Sequence, residues 1–264
     1  MNILRYASDT NSPLQSNQRH QFAQSHALSL YRSRAIYSFI PKNACSTLRY
    51  SLAIHNGCLE RGGDINWIHA NNGTFRTDLA AAITAEYTFV VLRCPLRRLA
   101  SVFLDKFVGK DGPAWLFYEM TGRAVSLDDV TFRYFVESLS SNNVLGGEIH
   151  WKPQVDFLLY KEYTDVFSVE RFSEAVNILN EKLNFEVHDA RPLTRHGLDQ
   201  YTSITEGTWA DVPIKELYQL KVNGQIPAPE CMYSARLYKS VCSIYSQDVE
   251  LYKKWCNSDC MLKV

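Results

Sequence analysis

The sequence predicts an α/β fold, a three-layer sandwich with a mainly parallel sheet between two layers of helices. Three observations predict it. Residues 35–40 and 87–92 are short apolar runs with the length and composition of strands buried on both faces. Each run leads into a turn and then a segment of helical periodicity. A third run, at 163–169, repeats the pattern ahead of an amphipathic stretch. Strands that alternate with helices give a parallel sheet covered on both sides, and such sheets bind ligands at the carboxyl ends of their strands.

Taken in order, residues 1–30 are polar, rich in Ser, Gln, Asn and His, and read as an N-terminal arm outside the core. Residues 31–264 read as one domain, without an internal repeat or a low-complexity linker. After the strand at 35–40, residues 46–55 form a helix that Gly57 is placed to end. Gly62, Gly63, Asn71, Asn72 and Gly73 make 58–76 a loop. Thr77 is the expected cap of a helix over 78–85. Behind the strand at 87–92, Pro95 suits the first turn of a helix running to about Val108. Ser126 and the acids Asp128 and Asp129 mark the start of a helix over 127–139. After the strand at 163–169, residues 173–183 form a helix with Ala175, Val176, Leu179 and Leu183 on one face. Residues 186–212 are irregular. Leu237, Val241, Ile244, Tyr245, Val249 and Tyr252 give one long helix over 233–255.

Composition narrows the function. Lys+Arg and Asp+Glu both number 28, which excludes a general nucleic-acid binder and leaves room for a local basic pocket. The first twelve residues hold no apolar core of the secretory type, and no apolar run approaches the roughly twenty residues that span a bilayer. The expectation is a soluble protein without a membrane span. Seven cysteines, an odd number with no Cys-x-x-Cys pair, read as reduced thiols of a cytoplasmic protein. A disulfide between Cys256 and Cys260 is the lesser alternative.

Two segments carry the chemistry. In Ile40-Pro-Lys-Asn-Ala-Cys-Ser-Thr-Leu48, a lysine and the backbone N–H groups of a helix start make an anion cradle, with Ser46 and Thr47 as caps and hydroxyl donors. A plain capped helix with a surface lysine has the same signature. The segment lacks the Gly-x-x-x-x-Gly-Lys-Ser/Thr pattern, which argues against a nucleoside-triphosphate kinase. In Leu92-Arg-Cys-Pro-Leu-Arg-Arg-Leu-Ala-Ser101, Arg93 offers a planar fork for a terminal phosphate, and Ser101 stands eight residues on. An amphipathic helix with solvated Arg97 and Arg98 would look alike. Side by side, the two segments suit an anion phosphorylated at both ends.

These segments resemble the 5′-phosphosulfate and 3′-phosphate motifs of sulfotransferases that use 3′-phosphoadenosine 5′-phosphosulfate (PAPS). The likeness is greatest to the carbohydrate enzymes of the chondroitin and dermatan type, with heparan 2-O-sulfotransferases more distant. Pro41, Lys42, Cys45 and Ser46 match the first motif, Pro-Lys-x-x-Cys-Ser/Thr. Arg93, Pro95, Arg98, Leu99, Ser101, Asp105, Lys106 and Phe107 match the second, with Cys94 where the family has an acid. His150-Trp-Lys-Pro-Gln154 is similar to the family's His-Trp-x-Pro-Gln. Ser168 to Phe172 and Ser246 to Tyr252 resemble later segments, so the likeness spans roughly 34–255. The family's paired cysteines after the His-Trp motif and its membrane anchor are missing, which suits a bacterial-type relative.

The resemblance implies a P-loop-like sulfotransferase fold that moves a sulfuryl group from PAPS to a hydroxyl of a carbohydrate or glycoconjugate, leaving adenosine 3′,5′-bisphosphate and requiring no metal. Pro41, Lys42, Asn43, Ala44, Cys45, Ser46 and Thr47 would hold the 5′-phosphosulfate, and Arg93 and Ser101 the 3′-phosphate. Arg195, in the loop Arg191-Pro-Leu-Thr-Arg-His-Gly197, would face the nucleotide, although an exposed basic loop reads the same. Lys42 would stabilise the leaving phosphate. His69, where the heparan relatives carry their histidine, would take the acceptor's proton. His150, Trp151 and Glu148 would line the cleft, with Glu148 and Asp105 as reserve bases. Two other readings stay open: a sulfotransferase for a small-molecule alcohol or phenol, and a nucleotide-binding protein without catalysis.

Overall fold

The structure is a computed structural model that describes residues 2–194, 197–198, 200–256 and 258–263. The apolar runs become neighbouring strands of a four-stranded sheet: β1 (Ala27–Leu30), β2 (Ala35–Ser38), β3 (Tyr87–Leu92) and β4 (Asp165–Ser168), in that spatial order. β2, β3 and β4 are parallel, with Ala35 opposite Tyr87 and Phe89 opposite Asp165. β1 is antiparallel at the edge, with Leu30 opposite Ala35. The expected mixed α/β architecture with a mostly parallel sheet is thus what the chain adopts.

Alternation along the strands serves two cores. Leu28, Leu30, Tyr37, Phe89 and Val91 pack with Leu48 and Leu52 of helix Cys45–His55 and with Leu179 of helix Phe172–Leu183. The opposite face carries Ala27 and Ile36, packed with Ala23 of helix Gln18–Ser25 and Ala82 of helix Leu79–Thr84. A strand covered on both faces carries apolar side chains at most positions, so β2 and β3 read as largely apolar runs, with Ser38 and Thr88 as their polar members. Tyr37 and Phe89 stack across the β2–β3 pair with ring centroids 4.9 Å apart. Such pairs add about 0.5–1.5 kcal/mol beyond their buried area.

The chain divides into two compact units. Met1–Arg93 with Gln154–Arg195 form the first, which holds the sheet just described. Cys94–Pro153 with His196–Val264 form the second. The second contains a small parallel pair, β5 (Thr202–Ile204) and β6 (Gln225–Pro227). It also has an aromatic core in which Phe107, Phe117 and Phe135 surround the fully buried Trp151 at centroid distances of 5.8, 6.3 and 5.6 Å.

Several local expectations change. The polar N-terminal stretch is not a loose arm: it contributes a helix and β1, and it buries Leu4, Tyr6, Ala23, Leu28 and Leu30. Most of its few apolar residues enter the core, with Ile3 an exposed exception, so composition alone hid them. The cap of helix Leu79–Thr84 is Asp78, whose carboxylate accepts from Ala81 N at 2.7 Å, one residue after Thr77. The helix expected over 127–139 is a 3₁₀ turn (Leu127–Asp129) and then helix Phe132–Ser138. The break falls at the extended Val130, whose carbonyl accepts from Ile214 N, and Thr131 caps the new start. The long helix over 233–255 breaks at Tyr245 into Ala235–Ile244 and Ser246–Trp255. Helices Gly112–Met120 and Ile214–Val222 had no expectation attached to them.

Two histidines of the first unit make stability depend on pH. Burial holds the His20 imidazole below its ordinary value, against a smaller opposite pull from Gln24. Burial, and then the Arg32 charge, do the same to His55. The unfolded chain therefore takes these protons first. Stability is complete above about pH 6.5 and falls as the pH drops below it, by up to ~1.4 kcal/mol per pH unit for each proton. Urea unfolding between pH 7.5 and 5 should show this acid limb, and His20→Leu should flatten it. An unchanged limb in His20→Leu would assign the acid sensitivity to other groups.

Candidate active site

The first anion segment is a strained turn. Past β2, Lys42 and Ala44 adopt φ of 72° and 55°, the left-handed region that non-glycine residues rarely enter. Helix Cys45–His55 begins immediately after, with Ala44 at its N-cap and no side-chain cap bond. Ser46 and Thr47 therefore sit inside the first turn and do not cap it, a correction to the expected start by one residue. The first-turn N–H groups and the positive end of the helix dipole lie at this turn, the arrangement that binds phosphate-like anions. Lys42, Ala44, Cys45 and Ser46 are part-exposed, whereas Pro41, Asn43 and Thr47 are buried.

The turn is tied to the end of β3 by buried polar groups. Asn43 Nδ2 donates to Val91 O at 2.9 Å and to Gln154 Oε1 at 2.6 Å. Gln154 Oε1 also accepts from Arg93 N at 3.0 Å, and Gln154 Nε2 donates to Arg93 O at 2.9 Å. Arg93 Nη1 donates to Lys42 O at 3.0 Å. Asn43 and Gln154 are almost wholly buried. Sequence reading gave Asn43 only to the cradle and Gln154 no role. The sole signal was the glutamine of the His-Trp-x-Pro-Gln likeness.

In the second unit, helix Pro95–Val102 passes into a π-helical turn over Phe103–Phe107. Ser101 is 3% exposed, and Asp105 pairs with Lys106 at 3.4 Å. Arg98 is not solvated: it is 2% exposed and donates to Lys152 O at 2.8 Å and Ile149 O at 3.3 Å. Trp151 Nε1 donates to Val144 O, and Tyr245 donates its hydroxyl proton to Trp151 O at 2.6 Å. Residues 148–152 are thereby pinned by Arg98, Val144 and Tyr245. On this turn Glu148 accepts from His150 N at 2.6 Å and pairs with His150 Nδ1 at 2.8 Å. A carboxylate on Nδ1 favours the tautomer that leaves Nε2 as an acceptor. Their side chains are 11% and 24% exposed.

The sequence model of the Sulfotransferase family matches residues 25–254, across both units. This chain is a member of the sulfotransferase family. No curated protein and no solved structure matches it individually.

The remaining expected residues of this sulfotransferase fall into place unevenly. His69 is exposed on the one-turn helix Trp67–Ala70, inside what was read as loop. That turn is held by Arg49 of helix Cys45–His55, which donates to Ile68 O and to the Asn72 side chain. Trp67 is half-buried against Phe75, and Trp115 stands 52% exposed. Arg195 and His196 lie outside the described residues. None of the seven cysteines is in a disulfide among the described residues, Cys256 and Cys260 included. Among the described residues, no helix is long and apolar enough to cross a membrane, and no cluster of three or more His, Cys, Asp or Glu could hold a metal ion.

Proposed function

We propose that this sulfotransferase moves a sulfuryl group from PAPS to a hydroxyl of a carbohydrate or glycoconjugate. The observation that carries the reading is the left-handed Lys42–Ala44 turn opening onto an uncapped helix start, with the Arg93 guanidinium on the Lys42 carbonyl. This cradle fits the 5′-phosphosulfate: it offers part-exposed backbone donors, the hydroxyl of Ser46 and a lysine. When bound, PAPS supplies a sulfur–oxygen bond ready to break onto a phosphate leaving group. Pro41 to Thr47 bind that end. Lys42 offsets the negative charge growing on the bridging oxygen. Arg93 and Ser101 are assigned to the 3′-phosphate by the motif they match, and Arg195 to the nucleotide by its loop.

His69 is the proposed proton acceptor, by its place where the heparan relatives carry their histidine and by its position on an exposed turn. His150 with Glu148 is the reserve. Carbohydrate is favoured over a small phenol by the motif likeness. The family match over both units supports one catalytic domain, and the odd, scattered cysteine count suits a reduced, cytoplasmic protein.

The nucleotide test is direct. Adenosine 3′,5′-bisphosphate should bind roughly ten- to a hundredfold more tightly than 5′-AMP or ATP, the worth of one charge-assisted contact of about 1.5–3 kcal/mol. Equal calorimetric affinities for the three would sink the PAPS reading.

Lys42→Ala should lower turnover far more than it weakens bisphosphate binding, since the charge it meets develops only in the transition state. Near wild-type turnover with a raised KM for PAPS would reduce Lys42 to a binding residue.

His69→Ala should fold, bind the bisphosphate and lose ~10²–10⁴-fold in transfer. Should it retain activity within a few fold while His150→Ala and Glu148→Gln are dead, the base is the Glu148–His150 pair.

A further inference from the structure

A strained turn keeps its shape only when its surroundings impose it. Lys42 and Ala44 are both left-handed and neither is glycine, a state that costs each about 1–3 kcal/mol and persists only where other contacts fix it. Asn43, the residue between them, has no exposure, and its side chain is held through Nδ2 alone. Its Oδ1 is buried and finds no hydrogen-bond partner. The amide cannot be turned over without setting that oxygen against Val91 O and Gln154 Oε1, so the two acceptors fix its orientation. One acceptor is the backbone of β3. The other, Gln154, is itself fastened to the Arg93 peptide through both ends of its carboxamide.

We infer that Gln154 is a positioning residue for sulfuryl transfer: it locks Asn43 to the end of β3 and so holds Lys42 in its left-handed turn. The inference rests on the sulfotransferase reading and deepens it. Gln154 has a relative exposure of 1%, so it works through its neighbours. Its three bonds reach both anion segments of the first unit at once, Asn43 in one and Arg93 in the other. Arg93 closes the circuit by donating to Lys42 O. Loss of the Gln154 carboxamide leaves Asn43 with Val91 O alone and frees the Arg93 peptide groups. The turn can then relax toward ordinary backbone and carry the Lys42 ammonium away from the bridging oxygen. A displacement of about 1 Å at a reacting centre costs on the order of 10²-fold in rate.

The test is a cycle between Gln154→Leu and Lys42→Ala in the full chain, read by PAPS-dependent transfer, by calorimetry with adenosine 3′,5′-bisphosphate and by thermal unfolding. Gln154→Leu should remain folded and lower kcat ~10–10²-fold, with a smaller loss of bisphosphate affinity. In the Lys42→Ala background the same change should lower kcat by no more than about twofold, because residues acting as one unit are not additive. Gln154→Glu keeps the acceptor oxygen that serves Asn43 and Arg93 N and puts an oxygen in place of the donor to Arg93 O, so it should fall between Leu and wild type. A folded Gln154→Leu with unchanged kcat, or an equal drop in both backgrounds, overturns the inference. Should Gln154→Leu fail to fold, Gln154→Glu carries the same cycle. A wild-type chain that neither binds the bisphosphate nor transfers from PAPS overturns the underlying sulfotransferase reading instead.

Discussion

Parallel pairing of β2 with β3 is the constraint on which the rest depends. Parallel neighbours end at the same edge of a sheet, so the segments that follow them, Ile40 to Ala44 and Arg93 onward, leave from one side. In this register Ser38 lies opposite Val90, and the buried Tyr37–Phe89 stack stands just inside that edge. A one-residue slip would turn Tyr37 and Phe89 toward the face that holds Ala27, Ile36 and Ala82. The sheet core thus sets where Ile40 and Arg93 leave the sheet.

Polar contacts then refine that placement, and they do so with backbone carbonyls as targets. Arg93 donates to Lys42 O, Arg49 to Ile68 O, and Arg98 to Ile149 O and Lys152 O. Each guanidinium fastens a turn that bears a residue of proposed function: Lys42, His69 or His150. A planar group with five donors suits this work, because it can reach a carbonyl that no other peptide group reaches and still keep its charge. Burying such a group costs several kcal/mol unless its donors are met. Arginine at these positions is therefore a commitment to one turn geometry, and lysine, a point charge on a flexible stem, would not replace it.

The sheet was legible in the sequence because burial on both faces writes itself as an apolar run, and β3 begins and ends where the run does. Helix Cys45–His55 was legible for its apolar stripe, with Gly57 past its end at φ 79°. Elements decided by tertiary contact were not. The break at Tyr245 interrupts a perfect helical stripe, and the Tyr245 hydroxyl is spent on the Trp151 carbonyl, 94 residues away. The N-terminal stretch has too few apolar residues to show a pattern, although most of them, Leu4, Tyr6, Leu28 and Leu30 included, are buried. At the site, the lysine and arginine were legible because their charge has few other uses beside a helix start. Asn43 and Gln154 were not, because an amide that bridges two buried backbone segments has the same letter as one on a surface loop.

The same physics ranks the two histidines as chemical objects. The Glu148–His150 pair is preorganised: its tautomer is set by a carboxylate, and its turn is pinned by Arg98, Trp151 and Tyr245. His69 is exposed on a single helical turn, whose backbone is held by Arg49 at Ile68 O and by the Asn71 side chain at Trp67 O. Preorganisation is stabilising for a group that must accept a proton without moving, whereas exposure serves a group that must meet many acceptors. The two imidazoles thus differ in how far their own turns are buried: His150 stands beside a carboxylate on a part-buried turn, and His69 on an exposed one.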